Sequence, residues 1–169
     1  MSWTDRPDDW GQPGHLNRSD EFEAVLDQIS DLTTRTETVE AGAWTPWVPT
    51  LTNITQGSGV VVARYAQLGD IVHYRFKFTF GSGSAMGSSP SITLPVAPGS
   101  DYLVMAIGHV RILDSGTANY FGYARLSSGS TIEMTFVGTT DIDSTITSTA
   151  PMTWTTNDVL TCVGTYEAL

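Results

Sequence analysis

The chain has 169 residues, with eight Lys or Arg against eighteen Asp or Glu and a formal net charge of −10. That length suits one domain with an appendage, and so negative a charge opposes any dominant attraction to nucleic-acid phosphates or anionic lipid, which need clustered Lys and Arg. The single cysteine, Cys162, excludes a disulfide framework within the chain and a multi-cysteine zinc site. No stretch reaches eighteen apolar residues, and the opening MSWTDRPDDW is acidic where a signal peptide would be basic and then apolar. A protein neither inserted in a membrane nor exported by an N-terminal signal is expected.

Charge and composition change together near Trp44. Residues 1–43 carry ten acidic and three basic side chains; residues 44–169 carry eight and five, and there Ser, Thr, Gly and β-branched residues dominate. Three parts follow: an arm over 1–18, an oligomerising helix over 19–43 and a β-rich head over 44–169. In the arm, Pro7, Gly11, Pro13 and Gly14 exclude a regular helix or a central strand. Trp3 and Trp10 set it apart from a plain polar leader, because indoles are large, apolar and enriched at interfaces. They are assigned as anchors that dock the arm on another protein.

Residues 19–40 read as one helix. Ser19 is placed to cap its N-terminus, Asp20 and Glu21 put negative charge at the positive end of the helix dipole, and Gly42 releases the chain. Phe22, Val25, Ile29, Leu32, Thr36 and Val39 recur at alternating spacings of three and four, the a/d seam of a heptad repeat. An amphipathic helix lying on its own body would show a broader apolar face. The narrow stripe therefore favours self-association through Phe22, Val25, Ile29, Leu32 and Val39, without fixing the number of strands.

The remainder reads as β. Strands are predicted over Val60–Gln67, Ile71–Phe80, Ser91–Val96, Tyr102–Leu113, Ala118–Leu126, Thr131–Val137, Met152–Thr156 and Val159–Tyr166, with an opening strand near 47–52. The plainest alternation puts Tyr74, Phe76, Phe78 and Phe80 on one face and His73, Arg75, Lys77 and Thr79 on the other. Short strands with regular turn signals imply an antiparallel β-sandwich or jelly-roll-like body. If successive strands alternate in direction, the connections 53–59, 81–90, 114–117 and 138–149 gather at the end far from the helix, and the turns at 68–70, 128–129 and 157–158 at the near end. Loops gathered on a rigid scaffold commonly bind ligands. Ser82, Ser84, Met86, Asp141 and Asp143 are the candidate binding residues of that tip.

Several residue sets resemble a β-rich domain recurrent in bacteriophage tail and fibre proteins. They are the run from Trp44 through Pro46, Trp47 and Pro49, then Gly57-Ser-Gly59, Arg64-Tyr65-Ala-Gln-Leu68-Gly69-Asp70, Leu94-Pro95, Thr153-Trp154 and the closing Gly164-Thr-Tyr166-Glu. The resemblance spans most of residues 44–169 and implies a virion protein, often trimeric, built as attachment segment, short coiled coil and β-head.

Motifs for chemistry are missing. His73 and His109 lie in predicted strands without metal-ligand spacing, and His15 is in the arm. No nucleophile-elbow, zinc-protease, P-loop or dinucleotide pattern appears, and the Gly81–Gly87 stretch precedes no helix that would cradle phosphate. Asp141 and Asp143, the one close carboxylate pair of the body, would point to opposite sides of an extended segment, which opposes glycosidase chemistry, and the oxygen donors for Ca²⁺ are not evident beside them. The run Tyr120-Phe-Gly-Tyr123 either stacks on sugar rings or packs in the core with one Tyr exposed.

The reading is then a non-enzymatic virion protein without cofactor or metal, assembled in the host cytoplasm. It is a short homotrimeric fibre or tail component, held by its N-terminus to another virion protein and presenting the head to a host-surface glycan or protein. Neither nucleic acid nor membrane insertion is expected. A capsid head fibre or decoration protein is the alternative, and a monomeric carbohydrate-binding β-sandwich stands further off.

Overall fold

A computed structural model describes residues 18–40, 43–99, 101, 104–138 and 143–169, with the side chains of the helix described from 22 to 34. Trp3, Trp10, Asp141 and the side chain of Val39 lie outside the described residues. The chain divides into two compact units, Met1–Ala41 and Gly42–Leu169.

The described part of the first unit is helix α1, Arg18–Glu40. It begins one residue before the predicted N-cap and ends where the periodicity does. Thr33 and Thr34 return their hydroxyls to the carbonyls of Ile29 and Ser30 at 2.8 and 3.0 Å, one turn back, so that neither side chain competes with the helix for its own backbone. Among the described residues, no helix is long and apolar enough to cross a membrane.

The second unit is mostly β, a curled antiparallel sheet of ten strands. In chain order these are β1 (Thr45–Pro46), β2 (Leu51–Thr55), β3 (Val60–Leu68), β4 (Ile71–Thr79), β5 (Ala85–Thr93), β6 (Ala106–Asp114), β7 (Ala118–Ser128), β8 (Thr131–Val137), β9 (Asp143–Thr145) and β10 (Val159–Glu167). The spatial order is β1-β3-β4-β10-β6-β7-β8-β5-β2, with β9 pairing on β8. The last strand thus enters the middle, between β4 and β6. At the two ends of that order stand β1 and β2, separated in sequence only by residues 47–50, so the sheet must curl until its edges approach. Trp47 spans the gap: its backbone N–H bonds Ala63 of β3 at 3.1 Å and its indole N–H bonds the Thr93 carbonyl of β5 at 3.2 Å.

The inner face is the apolar parity of each strand. Tyr74, Phe76, Phe78 and Phe80 are buried together with Val110, Ile112, Ile132, Met134, Leu160 and Cys162. Each such side chain removed from water stabilises the fold by about 1.5–3 kcal/mol before its ordering entropy is subtracted. One inward spot is filled from across the sheet. Gly108 and Gly164 face each other on β6 and β10, and a Cβ at Gly108 would stand 2.2 Å from the Tyr74 hydroxyl, which occupies that space. A Cβ at Gly164 would meet the Ile107 carbonyl at 2.1 Å and the Tyr74 hydroxyl at 2.7 Å, so close backbone approach and the tyrosine together require glycine here.

Several strand expectations need correction. In place of one opening strand near 47–52 stand β1 and β2, joined by residues 47–50, and β6 starts at Ala106 rather than Tyr102. β5 starts at Ala85 rather than Ser91, because β2 offers Ile54 opposite Met86 and Thr55 opposite Ala85 and so extends the ladder through a Gly- and Ser-rich stretch. Residues 152–156 form no strand; Met152 is buried and Trp154 packs on Phe80 instead. Residues 143–145, placed in a loop, form β9. Without a strand at 152–156, the turn at 157–158 moves to the opposite end from the one predicted, joining residues 56–59, 80–84 and 115–117.

Candidate functional site

Three surfaces were open to a functional role. The first is α1. Phe22, Val25, Ile29 and Leu32 keep 50–64 % of their surface exposed, and Leu26 beside them 47 %. Four apolar side chains at heptad spacing, with Leu26 alongside, form a stripe on a helix whose other positions are mostly Asp, Glu, Gln, Ser and Thr.

The second is the end of the body where the predicted tip loops gather. These loops are tied to one another. The Ser82 carbonyl accepts the Ser58 backbone N–H at 2.9 Å and its hydroxyl at 3.1 Å. Ser84 donates its hydroxyl to the Gln56 carbonyl and accepts the Gly81 N–H at 2.9 Å. Gly57, at φ +55°, passes so close that a Cβ there would lie 2.4 Å from the Gly83 carbonyl carbon. Asp158, fully buried, fastens the other side of the tip. One carboxylate oxygen accepts the Ser115 N–H at 2.9 Å, and the other accepts the N–H and hydroxyl of Thr155. Trp154 stacks on Phe80 at 4.8 Å and donates its indole N–H to Thr147 at 2.8 Å.

Of the five candidate tip residues, the structure therefore leaves Ser82 exposed and Ser84 engaged within the loop pair. Met86 is a correction: it is 4 % exposed and points into the core from β5, because the pairing with Ile54 turns it inward. Asp143 is a second correction, since it opens β9 and its carboxylate stands 3.8 Å from Arg125 rather than in a free loop. Asp141 lies outside the described residues. The tip as described is a packed lid on the core.

The third surface went unnoticed in the sequence: the outward face of β3, β4, β10, β6 and β7. Register aligns Arg64, Arg75, Val163, His109 and Tyr123 in one row across the strands. The adjacent row is Val62, Lys77, Thr161, Arg111 and Phe121. All five basic residues of the body point outward on this sheet, Arg125 being the fifth. His73 stands beside them, its Nδ1 2.8 Å from the Thr165 hydroxyl. Arg75 lies 4.3 Å above the Trp44 ring, and Arg111 donates two hydrogen bonds to the Asn119 amide oxygen at 3.1 and 2.7 Å. Two adjoining depressions of about 460 and 490 Å³ cross this face, sharing His109 and Thr165 and edged by Trp44 and Tyr123. In the aromatic run 120–123, Tyr120 packs against the core while Phe121, 62 % exposed, and Tyr123 face outward, so the exposed ring is chiefly the phenylalanine.

The most displaced acid groups lie in the core rather than on these surfaces. Burial pushes the Cys162 thiol up to about 12 and the Tyr166 hydroxyl up to about 12; burial, with Cys162 next to it, raises Tyr74 as well. These are core groups held neutral, and Cys162 is fully enclosed. Among the described residues, no three His, Cys, Asp or Glu side chains come together as metal ligands. No family model, curated protein or solved structure matches the chain.

Proposed function

We propose that the protein is a homotrimeric virion fibre: an N-terminal attachment arm, a short coiled coil made by α1, and a sandwich-like β-head displayed to a host surface. The exposed a/d stripe of α1 carries this reading. A helix that leaves Phe22, Val25, Ile29 and Leu32 half in water gains about 25 cal/mol for each square ångström it buries, and copies of the same stripe bury it symmetrically. The resemblance of most of residues 44–169 to phage fibre domains supports three strands and a virion location. Trp3 and Trp10 are the residues proposed to hold the arm to a neighbouring virion protein. A helix of 23 residues spans about 35 Å. So short a stalk also suits a fibre or decoration protein on the capsid head, which is the second reading.

The test is the double substitution Ile29→Asp with Leu32→Asp. Sedimentation equilibrium is expected to show a trimer for the parent chain and a monomer for the variant, with the far-ultraviolet spectrum of the β-body retained. A parent that sediments as a monomer, or a variant that stays trimeric, overturns the proposal.

A further inference from the structure

We infer that the outward face of β4, β10 and β6 is a binding surface for an acidic polysaccharide, its guanidinium and ammonium groups taking carboxylates and its rings taking sugar faces. The inference deepens the proposed display function by naming the ligand class, and it moves the ligand from the tip loops to the side of the head.

Uncompensated charge is the first ground. Among the described residues the ion pairs are those of Arg125 with Glu133 and Asp143, at 3.1 and 3.8 Å. Arg75 and Arg111 are instead held by neutral groups, the Trp44 ring and the Asn119 amide, which orient a guanidinium without cancelling its charge. Arg64 sits directly opposite Arg75, an arrangement that disfavours the sheet unless an anion lies over it. The rows that carry these residues contain no carboxylate.

Spacing is the second ground. Strands stand about 4.8 Å apart and alternate residues about 7 Å along a strand. Lys77 and Arg111 are therefore about 10 Å apart across Thr161, and Arg75 stands about 7 Å from Lys77 along β4. Cations set apart by a neutral side chain leave room for a sugar ring between successive carboxylate contacts. Nucleic acid, held chiefly through its phosphates, would need more clustered Lys and Arg than these two rows offer. Trp44, Tyr123 and Phe121 flank the cations with exposed or half-exposed rings, the groups on which sugar faces stack.

The experiment titrates the full-length protein with polygalacturonate, dextran and polyuridylate at low and physiological salt, beside the double variant Arg75→Gln with Arg111→Gln and the control Arg125→Gln. Light scattering is run on every sample. Expected are binding to polygalacturonate that weakens with salt, none to dextran, and at least about tenfold weaker binding by the double variant, with the control and all masses unchanged. Equal binding by parent and double variant, no binding to polygalacturonate, or stronger binding to polyuridylate overturns the inference. So does a changed mass in the double variant, which would make this face a contact between copies. A trimer that ignores polygalacturonate refutes the ligand alone; a monomer that binds it refutes the fibre alone.

Discussion

Asp158 shows how much a single side chain holds in this head. Its side chain is buried and its carboxylate accepts bonds from Ser115 and Thr155, while its backbone carbonyl accepts the Phe80 N–H. Asp158→Ala would leave those N–H groups buried and unpaired, and a loss of about 3 kcal/mol is expected in urea unfolding, against about 0.5 kcal/mol or less for a surface aspartate. The core acids give a pH dependence of definite sign. In the unfolded chain Cys162 releases its proton near 9.0 and Tyr166 near 10.0, whereas in the fold both are held to about 12. Above pH 9 the unfolded state therefore binds fewer protons than the native one, and stability falls as pH rises. Their contribution is intact below pH 9 and is lost between about 9 and 12. The melting temperature should be level from pH 7 to 8.5 and drop progressively from pH 9.5 to 11; a flat profile to pH 11 would contradict this assignment. The sequence could not reveal either feature, because Asp158 and Cys162 look ordinary until the fold encloses them.

At the scale of elements, strong period-two strands were legible and weak ones were not. β4 was readable to within one residue, since four aromatics alternate with His73, Arg75, Lys77 and Thr79. The first half of β5, Ala85–Ser89, carries the composition of a loop and becomes a strand through its partner β2, a tertiary effect that no local window contains. The same ladder buries Met86, which is why one tip candidate failed. The Gly108–Gly164 pair is another partner-made feature, since Gly108 answers Tyr74 of β4 and Gly164 answers first the Ile107 carbonyl of β6. Gly108→Ala should destabilise the head by about 3 kcal/mol in chemical denaturation. Tyr74→Phe introduced with it should recover more than half of that loss, because the colliding atom is gone. A double variant no more stable than Gly108→Ala would place the strain elsewhere.

For the whole molecule, composition pointed to an acidic chain with no basic patch, and at the level of net charge it is one. The fold nevertheless brings the five basic residues of the body, scattered from Arg64 to Arg125, onto one outward sheet surface. That gathering depends on β10 entering between β4 and β6, a long-range event with no signature in the sequence. The heptad stripe is the opposite case: it is local, was visible from spacing alone, and stays exposed along α1. The account as a whole stands on that stripe joining copies of the chain. Light scattering of the full-length protein, beside a chain beginning at Trp44, tests this most directly. Three times the 18.2 kDa chain mass for the first and a single head for the second is the predicted result. A full-length particle of one chain mass at micromolar concentration would contradict it.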